Sequence, residues 1–177
     1  MGIDMKNFFV DAETDGLYGS FLSIAAMVTD ERGTELDRFY ASVKISPEQI
    51  ETEWVKENVY PELKNADIHF DNELEMLDAF WTFWIKYRVD SICITNVQYP
   101  VESRLFTSCV MMDKDERTLL GPLPIYDLST LLAAKGFYFD EDMKTLSGMD
   151  LKTHDAMNDV KMMAAVWNNL IGEMKFE

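Results

Sequence analysis

Two carboxylates one residue apart close an apolar run near the N-terminus, Phe8-Phe9-Val10-Asp11-Ala12-Glu13. In a β-strand, side chains two apart leave the same face, so Asp11 and Glu13 are expected to point together from the strand's end. Ionised neighbours at that spacing repel and shift each other's pKa, and a hard divalent cation with oxygen ligands is the species that relieves them. Three later residues can complete such a site. Glu102 falls in the first turn of a helix opened by Pro100, where the helix dipole favours a carboxylate. His154 and Asp159 lie five residues apart, which is not one face of an ideal helix. The spacing therefore puts His154 on a loop and Asp159 in the helix behind it, approaching one site from different heights.

The elements that must position these residues read as follows. Phe21–Val28 is a second strand and Thr34–Val43 a third, joined through Asp30-Glu31-Arg32-Gly33, so the chain opens with a three-stranded antiparallel meander. Ser46-Pro47-Glu48-Gln49 has the form of a helix start with a capping box, and that helix ends near Tyr60-Pro61. Residues 62–72 read as a loop. Leu74, Leu77, Trp81, Trp84 and Ile85 then recur at helical spacing, a stripe expected to bury against a sheet. Ser91–Thr95 is a short apolar strand covered on both faces, and Asp113–Arg117 a charged, exposed loop. Ile125-Tyr126 forms the last strand, Asp127 caps a helix stopping at Gly136, and Val160, Met163, Ala164, Trp167, Leu170 and Ile171 mark a final amphipathic helix. The order predicts an α/β domain whose mixed five-stranded sheet, three antiparallel strands then two parallel, is flanked by helices.

At 177 residues and 47% hydrophobic composition the chain suits one domain spanning residues 1–177. Its formal net charge of −16 argues against a broad surface that grips long nucleic acid through phosphate neutralisation. Cys93 and Cys109 have neither metal-ligand nor disulfide-framework spacing, which suits buried thiols in a reducing compartment. No stretch approaches a membrane span and Lys6 spoils a myristoylation signal, so a soluble, cytoplasmic protein is expected. Asp15, Asp127 and Asp155 read as turn or cap residues, and His69 has no partners for chemistry.

Asp11-Ala12-Glu13-Thr14-Asp15-Gly16-Leu17 resembles the first motif of the DEDDh 3′-to-5′ exonucleases, the ribonuclease H-like group of ribonuclease T, oligoribonuclease and proofreading exonuclease subunits. His154-Asp155-Ala156-Met157-Asn158-Asp159 resembles their third motif, and the order and separation fit. The second motif departs from the pattern. Pro100 occupies the place expected of an aspartate, and Glu102-Ser103-Arg104-Leu105-Phe106 restores the register two residues later. That Tyr-Pro-Val-Glu form resembles a bacterial and phage exoribonuclease subgroup.

The resemblance implies a ribonuclease H-like sheet and two Mg2+ or Mn2+ ions held by Asp11, Glu13, Glu102 and Asp159, with Asp11 shared. Two divalent ions roughly 3.5–4 Å apart suit in-line phosphoryl displacement, and His154 is then the general base for the attacking water. The neighbouring carboxylates are expected to raise the histidine's pKa and the metal ions to lower it. By the same resemblance, Thr14 and Leu17 contact the terminal nucleotide, with Tyr18 and Phe21 as added stacking surfaces. Arg104, Lys152 and Lys161 are candidates for meeting phosphates. The implied substrate is the 3′ end of a single-stranded nucleic acid, RNA ahead of DNA, and the implied assembly is a homodimer. A DNA exonuclease on the same scaffold and an inactive binding module are the rival readings.

Overall fold

A computed structural model describes residues 5–138 and 142–173 of the chain. Its centre is β1 (Lys6–Thr14), whose alternation assigns side chains to opposite faces of the sheet. Phe8, Val10 and Ala12 enter one core cluster, whereas Phe9 enters the other. Asp11 and Glu13 continue the row that Phe9 begins.

β2 (Phe21–Thr29) and β3 (Glu35–Val43) complete the antiparallel meander. β4 (Ile68–Phe70) adds in parallel to β3; β5 (Ser91–Thr95) and β6 (Ile125–Asp127) extend the other side in parallel, giving the order β4-β3-β2-β1-β5-β6. The expected order of three antiparallel then parallel strands holds, but the sheet has six strands. The sixth is β4, in the region read as loop. Three residues with two exposed side chains carry no period-2 signal, and what makes them a strand is pairing with Ala41–Val43.

One face is covered by α2 (Glu73–Tyr87) and α3 (Val101–Met112). Phe8 packs edge-on against Trp84 with ring centroids 5.0 Å apart, and Phe80 and Phe106 extend that aromatic layer. Phe80 is completely buried, so Phe80→Ala costs about 3–5 kcal/mol through lost transfer energy and the cavity left behind. The buried stripe of α2 runs through Met76, Leu77, Phe80, Trp81 and Trp84, while Leu74, expected to join it, is exposed in the first turn.

The opposite face is covered by α5 (Leu128–Ala134) and α7 (Ala156–Glu173), with Trp167 edge-on to Phe9. Ile171 lies at the margin of that stripe and is partly exposed. The expected single helix after Ser46 is three pieces: a 3-10 turn over Pro47–Gln49, α1 (Glu53–Asn58) and a 3-10 segment over Tyr60–Asn65. Pro61 has no amide to donate and disfavours the α region for the residue before it, so α1 stops short of it and the chain continues as a 3-10 segment. The charged stretch after Asp113 is a one-turn helix, α4 (Lys114–Arg117), capped by the Asp113 side chain. A further short helix, α6 (Met143–Ser147), precedes the loop that leads into α7. Among the described residues no helix is long and apolar enough to cross a membrane.

Candidate active site

Pairing of β5 with β1 stops at Phe9 opposite Ile94, whereas β1 runs on to Thr14 against β2 alone. Asp11 and Glu13 therefore stand at an open end of the sheet, and the first turn of α7 brings Asp159 over them. Oxygens from these three carboxylates lie within 4.8 Å of one another. Two unit charges 4 Å apart interact by about 4 kcal/mol at an effective dielectric of 20, so three ionised carboxylates at this range need a cation. Burial, reinforced by the Asp159, Glu13 and Glu102 charges, raises the Asp11 pKa well above its ordinary value. Burial and the charges of Asp159 and Asp155 push Glu13 up to about 8, and burial pushes Asp159 up to about 7. These groups hold protons where no metal is present, and an oxygen-only donor set of this kind suits a hard divalent ion.

Glu102 lies outside that trio but beside it. Its side chain is 4% exposed in the first turn of α3, on the other side of β1. Burial pushes its carboxyl up to about 8, against the pull of hydrogen bonds from its own amide and that of Ala12, while the Glu13 and Asp127 charges add to the rise. The Ala12 amide thus ties Glu102 to the residue between Asp11 and Glu13.

His154 occupies the loop before α7, in a left-handed backbone conformation with φ 64°. A non-glycine residue there is strained by about 1–3 kcal/mol and persists only where its surroundings hold it. The His154 N–H donates to Asp159 Oδ2 at 2.9 Å, so base candidate and metal-ligand candidate are linked directly. Trp54 of α1 meets the imidazole edge to face, with centroids 4.7 Å apart. Burial, then the charge of Lys152, rather than the neighbouring carboxylates, set the direction of the His154 pKa and hold it below the ordinary value. Asp155 is buried and caps α7, its Oδ1 accepting from the Asn158 N–H at 3.1 Å.

The expected substrate residues divide. Thr14 is buried and its hydroxyl donates to the Gly16 carbonyl at 2.6 Å, fixing the turn after β1. Asp15 accepts from the Glu51 and Thr52 amides at 2.7 and 3.0 Å, anchoring the segment that carries Trp54. Leu17 and Tyr18 are well exposed, and Tyr18 is hydrogen-bonded to Tyr99. Phe21 is 1% exposed within the core, so its ring is not available to stack on a base; it pairs instead with the Arg104 guanidinium, 4.3 Å above it. Nε and Nη2 of Arg104 are buried with no hydrogen-bond partner. Lys152 is ion-paired with Glu62, and Lys161 lies two residues beyond Asp159 on α7.

A cleft of about 520 Å³ lies over the three carboxylates and His154, lined by Asp11, Glu13, Asn96, Val97, His154 and Asp159 among others. Sequence reasoning missed Trp54, which has no local pattern that would have singled it out. Its meeting with His154 is a product of long-range packing.

No family model and no curated protein matches this chain. Solved structures do match. The zinc-bound complex of E. coli exonuclease I with single-stranded DNA superposes with a TM-score of 0.73 over 97% of this chain and 41% of that one, at 14% identity. The E. coli exonuclease I complex with a dT13 oligonucleotide gives 0.67 over 94% and 41%, at 13% identity. At such identity the likeness is one of fold, and the chain spans about two fifths of the length of the structures it matches.

Proposed function

We propose that this chain is a divalent-metal-dependent 3′-to-5′ exonuclease of the DEDDh type, a single cytoplasmic catalytic domain that hydrolyses the terminal phosphodiester of single strands and releases nucleoside 5′-monophosphates. The observation that carries the reading is the meeting of Asp11, Glu13 and Asp159 within 4.8 Å, with His154 lining the same cleft. Asp11, Glu13 and Asp159 would hold Mg2+ or Mn2+, and Glu102 would complete the set from α3. When bound, such ions stabilise charge on the attacking and leaving oxygens.

The chain's own residues do the rest. Neutral His154, held below its ordinary pKa by burial, takes the proton from the attacking water. The Thr14 turn and Leu17 receive the terminal nucleotide, Tyr18 offers a ring to a base, and Arg104 meets a phosphate. With a net charge of −16 the protein has few cations with which to grip a duplex, which favours short or single-stranded ends. The Tyr-Pro-Val-Glu form of the second motif supports RNA as the preferred substrate. The second reading is a DNA exonuclease, favoured by exonuclease I being the shared fold in complexes with single-stranded DNA.

Matched 3′-labelled RNA and DNA single strands of one sequence decide between them. Labelled nucleoside 5′-monophosphate is the expected first product, released faster from RNA; equal or faster release from DNA assigns the second reading. The homodimer is carried by resemblance and is checked by sedimentation.

A further inference from the structure

Asn65 ends the 3-10 segment after α1, 90 residues before the residue it touches. Its side-chain amide donates once to Asp155 Oδ2, at 2.8 Å, and once to Glu62 Oε2, at 3.0 Å. Both donors of one amide are thereby spent on two carboxylates. Glu62 in turn pairs with Lys152, and Asp155 also engages the Tyr40 hydroxyl of β3. Lys152 and Asp155 flank His154 on either side. The Lys152 carbonyl further accepts from Asn158 Nδ2 at 3.2 Å, closing the loop onto α7.

We infer that the 53–65 segment is the positioning platform of the general base, and that Asn65 is the positioning residue that couples it to the His154 loop. This rests on the role given to His154 above. The physical need is plain: the strained left-handed backbone at His154 relaxes unless both flanks are held. Lys152–Glu62 holds one flank, Asp155 with Asn65 and Tyr40 holds the other, and Trp54 limits rotation of the ring between them. Asn65 joins the two flank contacts into one network, so losing it uncouples the two flanks while the Lys152–Glu62 pair and the Asp155–Asn158 cap remain. None of these groups is among the candidate metal ligands, and the loop they hold meets that set through the His154 N–H on Asp159 Oδ2.

The test is Asn65→Ala, made in the native chain and in a His154→Ala background, with Asn65→Asp as an isosteric second variant that sets a third carboxylate against Glu62 and Asp155. A displacement of the base by about 1 Å predicts a fall in kcat of about tenfold to a hundredfold, with KM for a labelled oligonucleotide and the Mn2+ binding midpoint each unchanged within about twofold. Asn65→Asp is expected to lose at least as much. In the His154→Ala background either change is expected to cost less than about twofold. The imidazole NMR signals give a readout apart from activity, since the chain has two histidines: those of His154 broaden or move in Asn65→Ala. Equal losses in both backgrounds, a changed Mn2+ midpoint, or an unmoved His154 signal overturn the inference. Full activity in His154→Ala overturns the assignment of the base itself and the inference with it, whereas loss in His154→Ala beside undiminished kcat in both Asn65 variants overturns the inference alone.

Discussion

The imidazole of His154 stands edge-to-face against the indole of Trp54, ring centroids 4.7 Å apart and planes at 83°. The two residues come from separate elements 100 positions apart, and Trp54 remains 50% exposed beside the cleft. An aromatic pair of this geometry contributes about 0.5–1.5 kcal/mol beyond area burial. That is enough to bias one orientation of a ring and too little to hold a fold together.

Trp54→Ala is accordingly expected to lower kcat by about tenfold while leaving the melting temperature within a few degrees, and Trp54→Phe to restore most of the rate. Steady-state kinetics beside a thermal melt check this. A large fall in melting temperature with kcat intact assigns Trp54 to folding.

The buried carboxylates make the metal-free protein sensitive to alkali. Glu13 and Glu102 are pushed up to about 8 and Asp159 up to about 7, whereas unfolded carboxyls titrate near about 4. Between those limits the folded chain binds more protons than the unfolded chain, so stability falls as pH rises through that window. Melting temperatures in chelator are expected to decline from about pH 5 to pH 8. Added Mn2+ restores more at the alkaline end, and Glu13→Gln flattens the slope. A metal-free stability that rises over this interval contradicts the proposed cluster.

Glu102→Gln keeps the shape of the side chain and an acceptor for the Ala12 amide while removing the charge. With one carboxylate of four gone, activity at fixed Mg2+ is expected to drop by about a hundredfold, with a higher metal concentration at half-maximal rate. Unchanged activity places the second-motif ligand elsewhere.

Arg104 is tested by methionine, which keeps an apolar stem over Phe21. Nε and Nη2 are buried without hydrogen-bond partners while the guanidinium rests on the Phe21 ring, and buried donors without acceptors cost stability. Arg104→Met is expected to leave the melting temperature unchanged or raised, and to raise KM for an oligonucleotide by about tenfold through the lost phosphate contact. A lowered melting temperature with KM unchanged removes Arg104 from the substrate path.

Much of the site was legible because its signals are local. The period of two in β1 puts Asp11 and Glu13 on one face, and the five-residue gap separates His154 on its loop from Asp159 in α7. The cap at Asp127 follows from a side chain that reaches an amide two residues on, whereas the one-turn helix capped by Asp113 stands where the charge run reads as a loop. What escaped is what only tertiary structure makes. β4 exists through pairing with β3, and Phe21, aromatic and beside the first motif, is core because β2 is buried on both faces. Asn65 and Trp54 carry ordinary local roles in sequence, and only the packing of the segment after β3 against the His154 loop gives them any other.

The central claim is tested most directly with a 5′-labelled single strand, incubated with Mn2+, with chelator, and with Asp11→Asn protein. Asp11 faces Glu13 and Asp159 at the heart of the cluster. The account predicts a ladder shortening one nucleotide at a time from the 3′ end, present with Mn2+, abolished by chelation and absent in Asp11→Asn. An intact strand under every metal condition, or an Asp11→Asn protein as active as the native one, contradicts it.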